Sequence, residues 1–100
     1  MASRVTMDCS PRVPETTATR ELDNEKVLLN LESGIYFGLD ETGTHMWRLI
    51  AAGGPLSAAR TALLDEFDVE PARLEADLIQ LVEALAAHGL VVVGDRDGTL

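Results

Sequence analysis

The stretch from Leu28 to Trp47, LLNLESGIYFGLDETGTHMW, constrains the chain most, because it forces a tight hairpin straight into a helix. Val27, Leu29 and Leu31 alternate with Leu28 and Asn30; Glu32-Ser33-Gly34 supplies a turn; Ile35, Phe37 and Leu39 then alternate with Tyr36 and Gly38. A period of two over short runs broken by a Gly-containing turn predicts two antiparallel strands. Asp40 follows without a loop, and its carboxylate suits the orphan amides of a helix starting at Glu41. A strand that ends on a helix cap leaves the following helix no choice but to fold back over the sheet.

The remaining elements follow from the same rules. Pro11 and Pro14 bracket an extended Arg12-Val13, and the Thr-rich run after them, with no helical period, predicts an edge strand over residues 13 to 20. The polar turn Asp23-Asn24-Glu25 joins it to the hairpin. The first helix is predicted from Glu41 to Ala52, with Met46, Trp47 and Ile50 on its core face and Gly53-Gly54 as the stop. A second helix, capped by Ser57 and burying Leu63, Leu64 and Phe67, ends near Glu66. Pro71 opens the third at the one place where a missing N–H costs nothing. Leu74, Leu78, Leu81, Val82 and Leu85 form its apolar stripe, and Gly89 with Leu90 provides a left-handed stop and a hydrophobic contact back to Leu85. Val91 to Val93 form a short extended end. The order β-β-β-α-α-α is a segregated α+β arrangement whose helical half is of the winged helix-turn-helix type. Residues 1 to 10 read as a loose tail with no bearing on the fold, residues 11 to 93 as the domain, and residues 94 to 100 as a flexible tail.

Charge and residue usage remove several function classes. A net charge of -9, from 17 acids against 8 bases, opposes binding to nucleic acid or to anionic membranes. The run from Asp65 to Glu83 sharpens this, since Asp65, Glu66, Asp68, Glu70, Glu75, Asp77 and Glu83 face only Arg73. A DNA-recognition helix must approach phosphates closely, and this third helix would be repelled. Cys9 is alone, so no internal disulfide and no Cys-rich metal site is expected, in keeping with a cytoplasmic location. No apolar run approaches the roughly 18 residues that span a bilayer. His45 and His88 lack partners at ligand spacing, and Gly53-Gly54 lacks the Lys of a phosphate loop. Neither an enzyme nor a metal or other cofactor site is expected. Tyr36 stands out because the alternation sends it to the face opposite Ile35 and Phe37, either as cover for that face or as a contact residue.

As a set, the residues Leu28 to Gly43, LLNLESGIYFGLDETG, with Trp47, then Phe67-Asp68-Val69-Glu70-Pro71, and the pattern Asp77, Leu78, Leu81, Leu85, Gly89-Leu90, resemble the PqqD-like proteins. These are the peptide-recognition elements of pathways to ribosomally made, post-translationally modified peptides, and the likeness spans residues 12 to 93. It implies a winged-helix peptide-binding module that does no chemistry itself. The leader segment of a precursor would add as a strand beside residues 34 to 38 and lie against residues 71 to 88. The implied contact residues are Gly34, Ile35, Tyr36, Phe37 and Gly38 on the strand, with Leu74, Asp77, Leu78, Ile79 and Leu81 on the helix. The wording of the hairpin is most similar to the freestanding members of lasso-peptide pathways, which deliver the precursor to a separate leader peptidase. Two alternatives stand beside that reading: a peptide chaperone serving a radical enzyme in the PQQ or another such pathway, and a small winged-helix DNA-binding regulator.

Overall fold

The computed structural model describes residues 5–23 and 25–93. Three strands come first: β1 (Thr17–Leu22), β2 (Glu25–Asn30) and β3 (Tyr36–Leu39). Three helices follow: α1 (Glu41–Ala51), α2 (Leu56–Glu66) and α3 (Pro71–Ala87). The sheet is antiparallel in the order β1-β2-β3, with helices on one face only, the segregated α+β, winged-helix arrangement expected of the sequence. On the helix side, Leu28 and Leu39 meet Met46, Trp47 and Ile50 of α1, Leu56, Ala59 and Leu63 of α2, and Leu74, Leu78, Val82 and Leu85 of α3. Trp47 is 3% exposed, which makes it the core anchor that its position on the amphipathic face predicted.

Two predicted helix ends are built as their residues dictate. Asp40 Oδ1 accepts from the Gly43 amide at 2.8 Å and caps α1. At the far end of α3, Gly89 takes φ 71°, the Leu90 amide donates to Leu85 O (2.8 Å) and the Gly89 amide donates to Ala86 O (3.0 Å). That pair of bonds is a Schellman motif, and Leu90 is fully buried beyond it.

Three expectations need correction. The edge strand starts at Thr17 rather than residue 13, because a turn intervenes in which the Thr17 amide donates to Pro14 O (3.1 Å). Arg12 pairs elsewhere, exchanging backbone hydrogen bonds with Val92 (2.9 and 2.8 Å), so the extended Arg12-Val13 segment holds the end of the domain and not the sheet. Ser57 is not a cap. α2 begins at Leu56 with Pro55 before it and no side-chain cap, and the Leu56 and Ser57 amides donate instead to Cys9 O (2.8 Å) and Met7 O (2.9 Å). Residues 5–9 therefore belong to the fold: their carbonyls satisfy two of the four orphan donors of α2, Cys9 is buried, and Val5 and Met7 pack against the core. The predicted tails 1–4 and 94–100, and Asn24 of the first turn, lie outside the described residues.

Candidate functional site

Hydrogen-bond parity decides what the sheet offers to a partner. The Asn30 amide donates to Ile35 O at 2.9 Å, so this pair is of the hydrogen-bonded kind. Antiparallel alternation makes Leu28–Phe37 and Lys26–Leu39 hydrogen-bonded pairs too, and Leu29–Tyr36 and Val27–Gly38 the non-bonded ones between them. Tyr36 and Gly38 therefore turn their N–H and C=O groups away from β2. No described strand borders β3 on that side, so two residues present a free ladder edge.

Side chains alternate independently of that edge. Phe37 points to the helix side, half-buried, with its ring centroid 5.4 Å from that of His88 at the end of α3. Tyr36 points to the opposite face and is 70% exposed. Ile35 is exposed at the strand entrance. Gly34 (φ 77°) lies in the turn, where its amide donates to Asn30 O and so shapes the hairpin rather than the edge's donors.

The contact between Phe37 and His88 also orients α3. Residues three or four apart share a helix face, so Ala84, Leu81 and Asp77 continue the flank that His88 begins. At 1.5 Å rise per residue this flank runs about 16 Å from His88 back to Asp77. Asp77 is exposed and Leu81 half-buried. The opposite flank carries Glu75, which forms a charge contact with Arg60 of α2, and Ile79 one turn on. Ile79 thus lies on the α2 side of the helix, opposite the flank that ends at His88. Leu74 and Leu78, at 5% and 0% exposure, are core residues with no surface to offer.

Sequence reasoning missed two residues on the β3 flank, Ala84 and His88. His88 Nδ1 lies 2.8 Å from Ala84 O, and because a carbonyl oxygen only accepts, Nδ1–H is the donor in that bond. It also missed Asn30. This side chain is 8% exposed, accepts from the Glu32 and Ser33 amides (2.9 and 3.2 Å) and donates to His88 O (2.9 Å). It fastens the hairpin turn to the end of α3. Its signal was present, since alternation turns Asn30 inward beside Leu28 and a buried amide needs partners. Gly89 completes the joint: a Cβ there would meet Asn30 Nδ2 at 2.7 Å.

His45, the other histidine, sits edge-on against Phe67 and 3.9 Å from Glu66, which is a packing role. Among the described residues no three His, Cys, Asp or Glu side chains converge as a metal site, and no helix is long and apolar enough to cross a membrane.

Known proteins share this architecture. Over 89% of its length the chain matches the solved structure of TbiB1 in complex with the TbiA(beta) leader peptide, covering 98% of that chain at 30% identity and TM-score 0.75. A lasso peptide synthetase B1 complexed with the leader peptide matches at 26% identity and TM-score 0.74, over 82% of this chain and 96% of that one. No curated protein sequence matches. The family model of coenzyme PQQ synthesis protein D (PqqD) spans residues 25–91, from the first residue of β2 to just past the Schellman stop, and the chain belongs to that family.

Proposed function

We propose that this protein binds the leader segment of a ribosomally made precursor peptide as a fourth strand on β3. It then presents the peptide to a separate maturation enzyme, the leader peptidase of a lasso-peptide pathway. The observation that carries the reading is the free ladder edge at Tyr36 and Gly38 beside the flank of α3 that ends at His88. The leader-bound relatives support it, as does the family.

The energetics require both parts. Four ladder groups at about 1 kcal/mol each contribute about 4 kcal/mol, against the roughly 8 kcal/mol of a micromolar complex. Backbone pairing alone falls short, and burial of leader side chains against Phe37, Leu81 and Ala84 supplies the rest. Asp77, exposed farther along the flank, is placed for a basic or hydroxyl group of the leader. The module itself performs no chemistry. Of the alternatives, DNA regulation is disfavoured by the acidic α3, where Arg73 is the only basic residue.

Proline separates edge pairing from general adhesion. Pro is tolerated on an edge strand where the replaced N–H faced outward. Gly38→Pro should leave a folded protein and weaken binding of a fluorescein-labelled leader by at least about tenfold, the loss of one well-formed donor and its neighbours. Thr19→Pro, on the other edge of the sheet, should leave affinity unchanged. Equal affinities for both variants in a fluorescence-anisotropy titration would rule out strand addition at β3.

A further inference from the structure

The sheet face turned away from the helices is mainly apolar and uncovered among the described residues. Alternation puts Ala18, Arg20 and Leu22 of β1, Glu25, Val27 and Leu29 of β2, and Tyr36 of β3 on it. The ladder continues to Leu31, whose amide donates to Thr16 O at 2.7 Å, so Leu31 joins the same face. Leu22, Leu31 and Tyr36 are 54%, 59% and 70% exposed. Between Arg20 and Tyr36 lies a hollow of about 270 Å³, lined by Ala18, Thr19, Arg20, Val27, Leu29 and Tyr36. Neighbouring side chains of one sheet face, three of them large, apolar and more than half exposed, form the kind of patch that marks a protein contact.

The position of this face relative to the leader edge identifies its occupant. A strand added to β3 lies in the plane of the sheet, so it leaves this face open while extending it sideways. One parity of leader side chains enters the α3 side, and the other parity stands next to Tyr36 on the outer face. A protein seated here touches module and peptide together. Arg20 adds a charge requirement: its direct cross-strand neighbours are Val27 and then Gly38, and among the described residues no carboxylate lies within ion-pair distance of it, Glu25 of the same face standing diagonally across β2. Arg and Tyr flanking an apolar hollow are typical anchors of protein interfaces.

We infer that the outer sheet face is where the maturation enzyme docks, through one large apolar side chain seated over Val27 and Leu29 and a carboxylate facing Arg20. This rests on the leader-binding reading above and names the surface that reading leaves unassigned. It assigns the two faces of one sheet edge to two partners. The helix side holds the peptide and the outer side holds the enzyme that receives it.

The test uses two variants away from β3 and the α3 flank, Leu29→Lys and the fully surface-located Arg20→Glu, with the labelled leader of the chain's own precursor and the leader peptidase encoded with it. Anisotropy should give leader affinities within about twofold of wild type for both. The kcat/KM for precursor cleavage should fall at least about tenfold for Leu29→Lys and about threefold or more for Arg20→Glu. Sedimentation velocity should show a monomer. Unchanged cleavage with leader binding intact would overturn the inference, as would a wild-type dimer that Leu29→Lys dissociates, since the face would then belong to a second copy. Failure of the wild type to bind leader at all would be seen in the first measurement and would remove the leader-binding reading together with this one.

Discussion

The two edges of the sheet have the same hydrogen-bonding problem and opposite solutions. The Leu31 amide donates to Thr16 O, so by parity Thr17, Thr19 and Glu21 of β1 turn their backbone groups outward, as Tyr36 and Gly38 do on β3. On β1 the outward amide of Thr17 is taken by Pro14 O, and its hydroxyl donates to Leu90 O at 2.9 Å. Glu21 then places a carboxylate on the helix side of the edge, held by Arg48 at 2.9 Å and by Lys26 at 3.8 Å. Charges pointing inward at an edge, with Pro just upstream, are how proteins discourage unwanted strand pairing. β3 has neither device. It reads Tyr-Phe-Gly-Leu, without a charge, and on its helix side Phe37 meets His88 at the end of α3. One edge is closed to partners and the other is kept open, which is the asymmetry expected of a module that accepts a single strand.

That comparison is broken most severely by loosening the joint that sets the open edge against α3. Asn30→Ala removes the bonds to His88 O and to the turn amides at Glu32 and Ser33, and should cost roughly 2–3 kcal/mol of stability in a chemical denaturation curve. Leader affinity should fall with it, since Phe37 and His88 lose their fixed spacing.

A smaller effect separates the two flanks of α3. Leu81→Lys, on the flank that ends at His88, should weaken leader binding about tenfold, the loss of one partly buried apolar contact. Ile79→Lys, on the flank shared with Glu75, should leave it within about twofold. The reverse result would place the peptide between α2 and α3 and away from β3.

The smallest effect belongs to the closed edge. The hydrogen bond from Arg48, followed by the charges of Lys26 and Arg48, holds the Glu21 carboxyl below the usual carboxylate range. A carboxylate depressed in the folded state stabilises above its unfolded pKa, and that contribution is lost as pH falls through the folded value. Melting temperatures of wild type and Arg48→Gln should therefore differ slightly at neutral pH and converge in acid, with leader affinity unchanged. The exposure of this pair keeps the difference small.

How much of this was legible before the structure depends on the range of the interactions concerned. Asp40 as a cap, the stripe of α3 apart from the half-buried Leu81, and the Gly89-Leu90 stop are signalled by residues within a turn or two of one another, and were read correctly. The capping of α2 by Met7 and Cys9 left no trace, because carbonyls reaching across nearly fifty residues carry no side-chain signature. A loose tail was the reading that composition allowed. The third strand was legible from alternation and its use as an edge, at residues 34 to 38, only from the family resemblance, while the flank of α3 beside it was legible from neither. Periodicity shows which stripe of α3 is buried, and it cannot distinguish the flank with Ile79 from the flank with Leu81, Ala84 and His88. That choice is made by Asn30, which ties the end of the helix under the hairpin.

The central claim, that β3 is open and β1 closed, is tested most directly by amide hydrogen exchange, residue by residue, with and without the leader peptide. In the free protein the outward amides of Tyr36 and Gly38 should exchange quickly, while those of Phe37 and Leu39, bonded to β2, are protected. Saturating leader should slow Tyr36 and Gly38 by at least about tenfold and leave Thr19 and Glu21 of β1 as they were. Protection appearing at Thr19 and Glu21, with Tyr36 and Gly38 still exchanging freely, would contradict the account.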